Sequence, residues 1–157
     1  IHRSSEIQQK EIAQFLELSP AEVSGSLKRL AKSNLYDPEK RKPLVLNLIE
    51  LLVHGLKYVY PVSPAGIERG IPTAWAYQAS SDKPVRDDLP QPVWPYSGGK
   101  VSGIGVKPIH PLVPKAVLKD PAFHEVMAMI DSLRMGRARE REVARKRLLE
   151  RFNGGKR

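Results

Sequence analysis

Apolar residues recur at helical spacing in three stretches of the chain. In residues 8–35, Ile12 and Leu16, then Val23, Leu27 and Leu30, repeat every three or four positions, as in two short amphipathic helices. Between them Ser19 and Glu22 form a capping box, Pro20 takes the first helical position and Leu18 can staple onto Val23, so a helix is predicted to start at Pro20. On this helix Val23, Leu27 and Leu30 share one side, while Ala21, Gly25, Lys28, Arg29 and Lys32 share the other. One face packs and the other is small or basic. On the preceding helix the small Ala13 permits a steep crossing over a short turn, and the pair reads as a helix-turn-helix.

Residues 44–60 are the most apolar segment, with Asn47, Glu50, His54 and Lys57 forming one narrow polar stripe. Such a helix needs cover on most sides, as the spine of a core or of a dimer interface. Residues 61–121 lose the periodicity: they hold 11 of the 14 prolines, and a regular helix does not persist through that density. Ile67, Ile71, Trp75, Val93, Trp94, Ile104 and Ile109 still offer enough apolar surface to pin an extended wrapping arm, and Gly98-Gly99 suits the turn of a small β-hairpin within residues 96–106. Helix returns after Asp120, a cap, and Pro121, with Phe123, Val126, Met127, Ile130 and Leu133 as its stripe. Around Gly136 the pattern weakens and then resumes, as in a bend between two helices or one long helix with an exposed waist. The chain is therefore expected to be mainly α, in three segments. These are a helix-turn-helix domain with its buried apolar helix (residues 1–60), a proline-rich arm (61–121) and basic C-terminal helices (122–157).

Charge refines this picture. The formal net charge is +9, and residues 121–157 carry 10 basic and 5 acidic side chains, whereas residues 1–60 carry 9 and 7. Such a chain is drawn to polyanions, nucleic acid or an acidic protein surface. In the arginine-rich run 134–151, pairs such as Arg137 with Glu140 and Glu142 with Lys146 offset only part of the excess. With no cysteine there is no disulfide framework and no thiolate metal site, which suits a reducing, cytoplasmic setting. No apolar run is long enough to span a bilayer. The first residue is Ile1 and not methionine, as expected of a processed or trimmed product.

The letters EIA at 11–13, Leu16, LSPAEVS at 18–24 and LKRL at 27–30 resemble the helix-turn-helix of MarR-type and related winged-helix bacterial transcription regulators. The resemblance covers residues 8–35. It implies a sequence-specific DNA-binding transcriptional regulator, a repressor or autoregulator. Such a regulator acts as a homodimer whose helix from Pro20 enters the major groove of double-stranded DNA, and it is nucleoid-associated when bound. Ser24, Ser26 and Lys28 are then the candidates for base edges, with Ala21 and Gly25 allowing close approach. Gln9, Lys10, Ser19, Arg29 and Lys32 would hold phosphates. Two positions depart from the family pattern. Glu17 stands where the turn usually has glycine, and so must accept an unusual backbone angle. Gly25 stands where a long polar residue often reads bases. The family also implies two strands and a basic wing after the second helix, but residues 36–43, YDPEKRKP, show no alternating pattern and read as a charged turn.

The alternative is a protein-interaction subunit that binds an acidic partner through the proline-rich arm or the basic C-terminal helix, with the helix-turn-helix used only for packing. No enzyme, cofactor or metal site is expected. His2, His54, His110 and His124 have no ligand spacing, the SGGK at 97–100 lacks the Ser or Thr and the earlier glycine of a phosphate loop, and Asp87-Asp88 reads as loop charge.

Overall fold

Local capping chemistry sets where the N-terminal helices begin and end. A computed structural model describes residues 8–77 and 90–154. The sequence features at His2, Asp87-Asp88 and Gly155, and the lead-in 1–7, lie outside the described residues. Helix α1 (Gln9–Leu16) opens where the Gln8 amide donates to Glu11 Oε2 at 3.2 Å. It closes at Glu17, which adopts φ 57° and ψ 39°, the left-handed conformation the turn demands of it, and the Leu18 amide then donates back to the Ala13 carbonyl at 3.0 Å. Helix α2 (Pro20–Lys32) starts with the reciprocal box: the Glu22 amide donates to Ser19 Oγ at 3.2 Å, and the Ser19 amide donates to Glu22 Oε2 at 2.8 Å. It ends at Asn34, also left-handed at φ 55°, with the Leu35 amide donating to the Leu30 carbonyl. Helices α1 and α2 pack together, burying Ala13 and Val23.

Residues 36–43 are not a strandless turn. Strands β1 (Tyr36–Asp37) and β2 (Lys42–Pro43) pair antiparallel, with Tyr36 opposite Pro43 and Asp37 opposite Lys42. Two residues per strand are too few to alternate, which is why the pattern hid them. What holds the hairpin is its loop. Asp37 Oδ1 accepts from the amides of Glu39 and Lys40, each at 3.0 Å, and Arg41 turns the chain back at φ 49°. Helix α3 (Val45–Glu50) follows, and the Asn47 amide group donates to the Asn34 carbonyl at 2.7 Å, tying α3 to the end of α2.

The chain divides into two compact units, the first ending at Glu50 and the second beginning at Leu51. The described proline-rich stretches and the C-terminal helices belong together to the second. Residues 44–60 are not one buried α-helix: Leu51–Gly55 forms a π turn before α4 (Leu56–Val59). A π turn holds more residues per turn than the α-helical pattern assumes, so the apolar residues that follow shift in phase. Leu52, Val53 and Leu56 are buried, yet Leu46, Tyr58 and Val59 are 76%, 74% and 63% exposed.

In the second unit β3 (Ile67–Pro72) pairs antiparallel with both β4 (Pro92–Pro95) and β5 (Val101–Gly105), and β4 pairs parallel with β5, closing a three-stranded sheet. Gly98 does sit in a turn, with the Gly99 amide donating to the Tyr96 carbonyl at 2.9 Å. The strands on its two sides do not form the expected hairpin with each other: Gly70 pairs with both Pro95 and Val101, so the turn joins two successive partners of β3. Closure this tight requires missing side chains. A Cβ on Gly70 would collide with the Trp94 carbonyl, and one on Gly103 with the Gln91 carbonyl.

A short 3-10 turn (Ala74–Ala76) and α5 (Val113–Val117) lead to α6 (Pro121–Met135) and α7 (Ala138–Asn153). Asp120 caps α6 as its sequence indicates, accepting from the Ala122 amide at 2.8 Å, and the chain bends at Gly136 into two helices. The core joins Ile71, Trp94, Val113, Val117 and Met127. Helices are the main content, with one closed sheet and one minimal hairpin, and among the described residues no helix is long and apolar enough to cross a membrane.

Candidate nucleic-acid interface

Within the first unit, the start of α1, one face of α2 and the β1–β2 hairpin surround a cleft of about 690 Å³. It is lined by the apolar Leu27, Ala31 and Pro38, by Lys10, Lys28 and Arg41, and by the polar side chains of Gln8, Gln9, Ser24 and Tyr36. No acidic residue lines it. This one-sidedness has a local cause, because the acids nearby are engaged in holding the backbone. Glu11 caps α1, Glu22 caps α2, and Asp37 holds the hairpin loop, where the amides of Lys40 and Glu39 keep its carboxyl below the usual carboxylate range. A unit with nearly balanced charge thus presents a cationic cleft.

Of the ten residues proposed from sequence, the structure brings Gln9, Lys10, Ser24 and Lys28 together in this cleft. Ala21, Lys32 and Gly25 lie on the outer side of α2 beyond its rim. Ser19 has its hydroxyl on Glu22 Oε2 at 2.7 Å, and Arg29 Nη2 donates to Ser26 Oγ at 2.9 Å, so these three side chains are occupied within the helix. Residues two apart on a helix do not share a face, which separates Ser26 from Ser24. Sequence reasoning missed Tyr36 and Arg41. The signal for them was the turn chemistry of Asp37 followed by a basic tip, not strand alternation.

The arginine-rich C-terminal run is arranged differently. Arg134 is buried against Asp131 and also donates from Nε to the Tyr60 carbonyl at 3.1 Å. Asp131 Oδ2 accepts from Thr73 Oγ1 at 2.8 Å and from Trp94 Nε1 at 2.6 Å, so one carboxylate joins β4, α6 and the chain after β3. Arg141 Nη2 donates to the Val53 carbonyl, Arg145 pairs with Glu142 at 2.8 Å, and Arg151 pairs with Glu125 at 2.7 Å. Glu142 is held by Arg145 and not by Lys146 in an ion pair, and the Arg137 amide, rather than its guanidinium, meets Glu140.

Among the described residues no group of three or more His, Cys, Asp or Glu side chains could hold a metal ion. His124 instead donates from Nε2 to the Pro72 carbonyl at 2.7 Å and stacks on Tyr77 at 3.7 Å, and burial pushes its pKa below 6.5. No family model, curated protein or solved structure matches the chain.

Proposed function

We propose that the protein is a sequence-specific DNA-binding transcriptional regulator, with α2 entering the major groove and the β1–β2 hairpin acting as a short wing on the neighbouring backbone. The observation that carries this reading is the cleft itself, in which α2, the start of α1 and the β1–β2 hairpin border one surface lined by three cations and no acid. Lys10, Lys28 and Arg41 line the same cleft and would serve as phosphate contacts if a duplex strand follows it. We assign the protein to the cytoplasm, where its target lies.

A homodimer fits the same reading. Leu46 in the first unit and Tyr58 and Val59 in the second are large apolar side chains left open by their own unit, as expected of residues that meet a second copy. The test is selection from a random duplex library at near-physiological salt. Enrichment of an inverted repeat with half-sites about one helical turn apart is expected. Binding that collapses with salt and selects no sequence would overturn the proposal, and a light-scattering mass of one chain at all concentrations would overturn the dimer.

A further inference from the structure

We infer that the half-site read by α2 is centred on guanine and that Lys28 is the residue that selects it, an inference that rests on the DNA-binding reading of the first unit. Few hydrogen-bonding groups on α2 are free to read a base. The sequence of α2, PAEVSGSLKRLAK, contains no Asn, Gln or Asp. Its one carboxylate, Glu22, accepts from both the amide and the hydroxyl of Ser19. Arg29 is directed onto Ser26, and both are on the flank away from Ser24. The hydrogen-bonding side chains that α2 still offers to the cleft are Ser24, in its first half, and Lys28, in its second.

Lys28 is exposed, lies one turn after Ser24, and makes no ion pair among the described residues. Its ammonium is a donor only. In the major groove guanine shows two adjacent acceptors, N7 and O6, whereas adenine places a donor beside its N7, thymine shows one acceptor and cytosine a donor. A side chain that can only donate therefore favours guanine. A serine hydroxyl can meet either kind of group, so Ser24 adds contact without adding choice.

The experiment uses the full chain and its selected duplex in fluorescence anisotropy, with each guanine of the half-site replaced in turn by 7-deazaguanine, which lacks N7, or by inosine, which keeps the major-groove edge. One position should weaken about tenfold with 7-deazaguanine and be indifferent to inosine. Lys28→Ala should bind the normal and modified duplexes equally, and Lys28→Arg should retain the discrimination. A selected site without guanine, or a Lys28→Ala protein that still discriminates, would overturn the inference while leaving the DNA-binding reading intact. Failure to select any sequence would overturn that reading instead.

Discussion

The two halves of the molecule treat positive charge in opposite ways. The C-terminal run 134–151 has 8 basic and 3 acidic residues, yet four of its arginines are fasteners. Arg134 closes a buried junction, Arg141 binds a carbonyl of the π turn, and Arg145 and Arg151 are paired. The N-terminal unit has almost no excess, yet Lys10, Lys28 and Lys32 make no ion pair among its described residues, and Lys10 and Lys28 face one cleft with Arg41. A polyanion responds to the arrangement of charge and not to its sum. Glu11, Glu22 and Asp37 decide the outcome by capping helices and the hairpin, which leaves Lys10 and Lys28 without an ion pair among the described residues.

Substitution should separate the two roles. Arg134→Ala leaves the Asp131 carboxylate buried without its cation, and a loss of about 3–5 kcal/mol is expected on breaking such a pair, measured by chemical denaturation. Lys28→Ala should leave stability unchanged in the same assay. Next in size is Ser19→Ala, which removes the cap of α2 and should cost about 1 kcal/mol, read from the melting of the first unit. Smaller still, Arg145→Ala breaks an exposed, solvent-screened pair and should leave the denaturation midpoint nearly unchanged, with no effect on the proposed DNA binding.

The smallest effect is a pH dependence in the second unit. His124 has a folded pKa below its ordinary 6.5, so the folded state binds fewer protons than the unfolded one. Stability from this group is complete above pH 6.5 and falls as pH drops through the folded value. Thermal melts between pH 8 and pH 5 should show that slope, and His124→Gln should flatten it.

The start of α2 and the turn before it were legible in the sequence because their determinants are local: a capping box four residues long, a proline at the first helical position, and a glutamate at a turn that wants glycine. Glu17 at φ 57° is the structural counterpart of that last mismatch, costing about 1 kcal/mol relative to glycine. The hairpin was not legible, because strands of two residues have no period and its stability comes from Asp37 bonding to the loop amides. The closed sheet was hidden for another reason. Its strands are short, contain Pro72, Pro92 and Pro95, and meet through glycines whose requirement appears only when Gly70 is set against Trp94 and Gly103 against Gln91. In the candidate site, helical periodicity placed Lys28 on the small and basic face, whereas Ser24 was named only through the resemblance. The withdrawal of Ser19, Ser26 and Arg29 into bonds within α2 is a side-chain choice that periodicity does not reveal.

The most direct test of this account is the salt dependence of binding to one selected duplex, compared between Lys10→Ala/Lys28→Ala and Arg139→Ala/Lys146→Ala. The account expects the first double variant to lower the slope of log affinity against log salt by about two and the second to leave it unchanged. A slope lowered only by the C-terminal pair would place the DNA-binding surface on α7 and contradict the account.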